Sequence, residues 1–192
     1  MRLDLGCGTK KAPGFIGVDV RQFEGVDVVC DLSTQRWPFE NDTVDEVVCS
    51  HMLEHVPGKK VTTAVDVDWI KHTVDVREVV TFPRAHFFNE LHRVMKKGAK
   101  ATIVTPAWSS GRAYGDPTHE WPPVSEFGFL YLAAEWRKAN APHDDFLTCD
   151  FDIGSGYVLH PAVMARNPDY QQHAMSFYKE AAQDIVSTLT KR

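Results

Sequence analysis

The 192-residue chain has no apolar run long enough to span a bilayer, and it opens directly on alternating apolar and polar residues without a charged-then-apolar leader. The expectation is a soluble, cytoplasmic protein with no membrane partner. Cysteine is scarce, and Cys7, Cys30, Cys49 and Cys149 never stand in C-x-x-C spacing. That argues against a thiolate metal site or a disulfide framework; three of the four sit in or beside apolar runs, as small buried hydrophobes do. A basic excess is missing too. The formal net charge of −5 offers no electrostatic footprint for duplex nucleic acid, which is disfavoured as a partner. No repeat or low-complexity stretch divides the chain, and 43% hydrophobic content over this length is enough to bury one core. Residues 1–192 are therefore expected to form one domain, of unreadable oligomeric state.

What is present is a series of short apolar runs with polar endings. Leu3 and Leu5 alternate with Asp4, and Gly6 and Gly8 follow with no Cβ to keep a ligand off the main chain. The next run, Gly17-Val18-Asp19-Val20, ends in an acid that can accept hydrogen bonds from two neighbouring ribose hydroxyls. A third run over 26–32 closes on Asp31 and Leu32, and a fourth over 44–56 closes on Ser50, His51, Glu54 and His55. Four polar strand ends would converge on one sheet edge. A dinucleotide is disfavoured there, because Lys11 stands where the third fingerprint glycine belongs and the ten residues between Gly8 and Asp19 leave no room for a full helix.

The combination of LDLGCG, an acid after the second strand, Asp-Leu after the third and H-x-L-E-H after the fourth resembles the class I S-adenosylmethionine-dependent methyltransferases, in particular the small type 11 kind. The resemblance covers roughly residues 1–108. It implies an α/β fold: a Rossmann-like, mostly parallel seven-stranded sheet in a three-layer α/β/α arrangement, its last strand antiparallel and here its first crossover shortened. It implies S-adenosyl-L-methionine as cofactor, with Asp4, Gly6, Cys7 and Gly8 at the methionine end, Asp19 and Val20 at the ribose, Asp31 and Leu32 beside the adenine, and Ser50 with His51 closing the site. Asp31 can accept from the exocyclic amine.

Farther on, Phe87, Phe88, Leu91, Val94 and Met95 keep helical spacing over 83–97, with Lys96 and Lys97 as a cationic last turn and Gly98 as C-cap. A fifth strand follows. The atypical insertion at 57–82 supports neither helix nor strand and is read as structural elaboration ahead of a lid, a substrate wall or a dimer contact. Residues 109–124, rich in proline and glycine, form a loop that offers Arg112, Tyr114, Asp116, His119 and Trp121 to an acceptor. A helix over 125–138 is expected behind an N-cap Ser125, facing Phe127, Leu130, Tyr131 and Ala134 inward. Gly154-Ser155-Gly156 allows either one bulged strand or a hairpin, Pro168 opens a helix, and the assigned sixth and seventh strands are 149–159 and 184–190.

Methyl transfer to an acceptor needs positioning and exclusion of water, and a base only where the acceptor must lose a proton. The candidate catalytic residues are His51, His119 and Asp116, with His55 a further imidazole. The acceptor is expected to be a small molecule. His51-Met52-Leu53-Glu54-His55 also reads as H-x-x-E-H, a zinc-peptidase pattern in reverse, so a zinc hydrolase is a lesser alternative requiring both histidines on one helical face. A domain that binds the donor without catalysing is another. The main reading includes no metal.

Overall fold

The structure, a computed structural model, describes residues 1–192. Its first half contributes β1 (Arg2–Leu5), β2 (Ile16–Asp19), β3 (Val28–Val29), β4 (Val44–Ser50), a hairpin of β5 (Lys60–Asp68) and β6 (Thr73–Thr81), and α1 (Pro83–Val94). The second half adds β7 (Met95–Pro106), α2 (Arg112–Gly115), α3 (Glu126–Leu130), α4 (Ala134–Asn140), β8 (Phe151–Leu159), α5 (Pro161–Met164), α6 (Pro168–Phe177) and β9 (Ala182–Lys191). Seven strands form one sheet in the order β3-β2-β1-β4-β7-β9-β8. The first five of these neighbours run parallel, with Leu3 beside both Ile16 and Val47. The last strand in sequence, β9, is antiparallel and inserts between β7 and the edge strand β8.

Leu3, Leu5, Val18, Val44 and Val47 are buried because a central parallel sheet is covered on both faces, which is why these strands read as near-continuous apolar runs. The covering is unusual at one end. No α-helix lies between β1 and β2, β2 and β3, or β3 and β4. Part of the cover comes from Trp37, fully buried edge-on against Phe87 of α1 at a centroid distance of 5.3 Å, its indole N–H donating to the Leu32 carbonyl.

Three expectations are corrected. The helix over 83–97 stops at Val94, because the buried Met95 turns extended and enters β7 opposite Val44. Lys96 and Lys97 are strand residues, Lys96 pairing with Asp45 at 2.6 Å, and Gly98 takes its positive φ of 79° inside the bulge that follows rather than as a helix cap. The 125–138 helix breaks at 131–133. There the Leu132 carbonyl accepts from Phe151, Asp150 accepts from the Ala134 amide, and the buried Arg137 donates to the Tyr131 and Cys149 carbonyls. These tertiary partners satisfy the backbone that a continuous helix would have paired internally. Consequently Phe129, Leu132 and Arg137 face inward, while Phe127 and Tyr131 are exposed.

The insertion at 57–82 is a regular antiparallel hairpin with nine register pairs from Lys60↔Thr81 to Asp68↔Thr73. Its pairs Val61↔Val80, Val65↔Val76 and Val67↔Val74 share one face and are all exposed. Of the two readings open for Gly154-Ser155-Gly156, the structure shows the single strand assigned over 149–159, its register with β9 unbroken from Phe151 to Val158. Ser125 does cap α3, accepting from the Gly128 amide, and Asn167 caps α6 in the same way through Tyr170.

Candidate functional site

The carboxyl ends of β1, β2, β3 and β4 gather around one cavity of about 250 Å³. Gly6, Asp19, Val20, Asp31 and Leu32 line it, joined by Cys30, Ser33, Met52, His55 and Val56. Gly6 makes the approach possible. Its φ is 72°, its amide and that of Cys7 both donate to the Val18 carbonyl, and a Cβ there would overlap the side chain of Met52. Gly8 is also left-handed, at 52°, but has open space where its Cβ would stand. Alanine costs about 1–2 kcal/mol for the left-handed backbone at either position, and at Gly6 it must in addition displace Met52. Gly6→Ala should therefore lower the thermal midpoint clearly more than Gly8→Ala; equal shifts would show that Met52 yields freely.

Without a crossover helix, the 6–15 segment is held by carboxylates. Asp4 accepts from the Ala12 amide at 2.7 Å, Asp19 Oδ2 from Gly8 at 3.0 Å, and Asp27 from both Gly17 and the Lys11 ammonium. Burial pushes the Asp4 carboxyl above its ordinary range, against the lowering hydrogen bond from Ala12. The structure thus places Asp4 beneath the turn rather than on the cavity wall, and Cys7, Gly8 and Ser50 likewise do not line this cavity. Asp19 Oδ1 accepts from the Arg21 amide at 3.1 Å, so each oxygen carries one backbone bond and keeps a further lone pair. The Asp31 carboxylate is more fully used: Oδ1 accepts from the amide and hydroxyl of Ser33, and Oδ2 from the Thr34 hydroxyl. Burial would raise its pKa, but these bonds outweigh it and hold the group below the ordinary value.

A second, more open cavity of about 550 Å³ adjoins the first through His55, which lines both. It brings together His51, Glu54, His55, Arg112, Asp116 and His119, so all three candidate catalytic residues share it. His51 follows β4 with a φ of 54°, its ring Nδ1 lying 3.2 Å from Glu54 Oε1. That hydrogen bond raises the imidazole pKa, with burial opposing. Hydrogen bonds from the side chain and amide of Thr118 hold Asp116 below the carboxylate norm. Arg112 pairs with Asp184 of β9 at 2.8 Å. Tyr114 and Trp121 are exposed and line neither cavity.

Leu53–His55 form a single 3-10 turn, so His51 and His55 do not share a helical face as a reversed zinc-peptidase motif requires. Met52 and Asp184 were not singled out from sequence as parts of a site. The H-x-x-E-H spacing marked Glu54, whereas nothing local marks Met52 or Asp184, whose roles depend on Gly6 and Arg112 far away in the chain.

No protein-family model matches the sequence, and no curated protein does. Among solved structures, the chain is similar to a SAM-dependent methyltransferase from Archaeoglobus fulgidus, at 16% identity and a TM-score of 0.60 over 99% of this chain and 85% of that one. It is similar to the geranyl diphosphate C-methyltransferase of Streptomyces coelicolor A3(2), in complex with Mg2+, geranyl diphosphate and S-adenosyl-L-homocysteine, at 13% identity and 0.51 over 100% and 70%. It is similar as well to the [4+2]-cyclase SpnF, at 15% identity and 0.51 over 99% and 73%. At such identities the likeness is one of fold.

Proposed function

We propose that this chain, which has the class I S-adenosylmethionine-dependent methyltransferase fold, binds S-adenosylmethionine in the smaller cavity and transfers its methyl group to an acceptor in the larger one. The observation that carries the reading is the convergence of Gly6, Asp19 and Asp31, each at the carboxyl end of a different strand, on one cavity. Asp19 takes the ribose hydroxyls. Leu32, Val20 and Val56 bracket the adenine, and Asp31, with its oxygens already engaged by Ser33 and Thr34, shapes that wall more than it accepts from the base. The methionine end lies along the Gly6 turn, against Met52.

In this reading His55, which lines both cavities, would stand between the donor and the acceptor. The acceptor atom attacks in line with the carbon–sulfur bond, whose electron pair leaves with sulfur, so the protein's contribution is alignment and removal of water. The hydrogen bond to Glu54 raises the His51 pKa and occupies its Nδ1. Asp116 and the Nε2 of His119, 3.9 Å apart, are the groups placed to receive a proton from an acceptor hydroxyl or amine. A cavity of about 550 Å³ suits a small molecule. No helix is long and apolar enough to cross a membrane. Four free, buried cysteines fit a reducing compartment such as the cytoplasm, and we take residues 1–192 as one domain whose 109–124 segment walls the acceptor side.

The test is calorimetric titration and thermal melting with S-adenosylhomocysteine and, in parallel, NAD. A ligand at 100 times its Kd adds about 2.7 kcal/mol, which raises the midpoint of a chain this size by roughly 5–10 °C. Stabilisation by S-adenosylhomocysteine but not NAD is expected; no response to it would overturn the reading. The cyclase neighbour shows that this fold also hosts other reactions, so transfer of label from methyl-labelled donor to a metabolite pool separates a methyltransferase from a chain that only binds the donor.

A further inference from the structure

Glu54 is 5% exposed, and its two carboxylate oxygens have different fates. Oε1 faces His51 Nδ1 at 3.2 Å, while Oε2 is buried with no hydrogen-bond partner. A buried carboxylate oxygen without a donor is costly, and such groups are found paired or bound to a cation. The same residue lines the larger cavity, where one of its oxygens and a ring nitrogen from each of His55 and His119 all lie within 4.8 Å of one another.

The tautomers of both histidines follow from their neighbours. His55 Nδ1 lies 3.2 Å from the Thr118 carbonyl and 3.0 Å from its hydroxyl, and His119 Nδ1 lies 3.2 Å from the Ala113 carbonyl. A carbonyl only accepts, so each Nδ1 carries the proton. In the neutral ring each Nε2 is then the lone-pair nitrogen; no donor of the protein meets either one, and Asp116 Oδ2 lies 3.9 Å from that of His119. Thr118 is itself fixed, its hydroxyl donating to Asp116 at 2.7 Å. Imidazoles held by a backbone carbonyl on one nitrogen and free on the other are the arrangement in which histidine ligates metals.

We propose that Glu54, His55 and His119 bind one divalent first-row transition-metal ion of the zinc class, at the wall where the two cavities meet. Two neutral imidazoles and a carboxylate are a donor set for such ions, and three protein ligands leave a coordination position open toward the larger cavity. The Zn–N and Zn–O distances of about 2.0–2.2 Å place tetrahedral ligand atoms about 3.3 Å apart. Binding would draw the three groups together by up to roughly 1.5 Å, a shift that rotation of the half-free Glu54 carboxylate and of the two rings supplies. The ion neutralises the partnerless oxygen of Glu54, and His51 holds the other as an outer hydrogen bond. The Nε2 of His119 is then engaged, which leaves Asp116 as the proton acceptor on that side. The open position favours acceptors that carry an oxygen donor; this last point rests on the methyl-transfer reading, the ion site does not.

The chain, stripped with chelator and dialysed, is titrated with Zn2+ by calorimetry and with Co2+ by its visible d–d absorption. One ion per chain and a low-symmetry Co2+ spectrum with nitrogen ligation are expected. Glu54→Gln, His55→Ala and His119→Ala should each weaken uptake by roughly 100-fold or more, and Thr118→Val, which removes the hydroxyl that His55 Nδ1 and Asp116 share but keeps the carbonyl, by about 10-fold. His72→Ala, on the exposed hairpin turn, should leave uptake unchanged. Circular dichroism of the stripped variants checks that each is folded; should one ligand variant fail to fold, the other two and Thr118→Val still decide. Absence of stoichiometric uptake, or uptake that survives these substitutions, overturns the proposal. S-adenosylhomocysteine binding is measured on the same stripped samples, so loss of the ion site with the nucleoside intact fails this inference alone, and the converse fails the donor reading alone.

Discussion

Asp19→Ala is expected to weaken S-adenosylhomocysteine binding by about 100-fold. A carboxylate that accepts from two ribose hydroxyls contributes hydrogen bonds of roughly 1.5–3 kcal/mol each when one partner is charged, and each 1.4 kcal/mol is a factor of ten in Kd. The lower end applies, because Asp19 is half-buried and solvated when no ligand is present. Asp19→Asn, which keeps one acceptor oxygen, should fall between wild type and alanine. The carboxylate also holds the Gly8 and Arg21 amides, so part of any loss could come from a loosened turn. Asp27→Ala separates the two effects: Asp27 braces the same segment through Gly17 and Lys11 but does not line the cavity. If calorimetry shows Asp27→Ala as damaging as Asp19→Ala, ribose recognition by Asp19 is wrong.

Arg93→Leu is expected to cost about 3–5 kcal/mol of folding free energy, because removing one partner of a buried ion pair strands the other. Arg93 Nε and Nη2 clasp both oxygens of Glu90 at 2.8 and 2.6 Å, and its remaining donors reach the Trp37 and Phe39 carbonyls and the Asn41 side chain. Glu90 in turn accepts from the Trp37 amide at 2.7 Å. The pair ties the helix-free 30–43 connection to α1 and seats Trp37 in the core. A midpoint drop of roughly 6–20 °C follows for a chain of this size, and Arg93→Lys should rescue only part of it because an ammonium cannot fork across both oxygens. A drop under 2 °C for Arg93→Leu would mean that the pair adds nothing beyond its isosteric packing.

The legible parts of this protein were those written in short-range pattern. The strands around Leu3 and Leu5, Val18, and Val47 and Cys49 announced themselves through apolar runs, and Gly6 and Asp19 through their place at strand ends. The hairpin carried its own signal in Val65-Asp66-Val67 and Val74-Asp75-Val76, but an alternation with no core to face does not read as a strand until the two halves are seen to pair. The helix ends misled for a different reason. Val94-Met95 and Tyr131-Leu132-Ala133 have ordinary helical character, and what stops the helix is a distant group: Val44 recruiting Met95 into the sheet, and Asp150, Phe151 and Cys149 supplying hydrogen bonds at the break.

Residue order alone determined the alternation of strand and turn and the acid or glycine that ends each central strand, since pleat period and backbone freedom are local properties of the chain. Only the tertiary structure decided that Asp4 and Asp27 brace a turn while Asp19 lines a cavity, that Trp37 and the Arg93–Glu90 pair stand in for absent helices, and that His119, 64 residues beyond His55, meets it beside Glu54. Those outcomes depend on which side chains share a buried volume, a quantity that distance along the sequence does not carry.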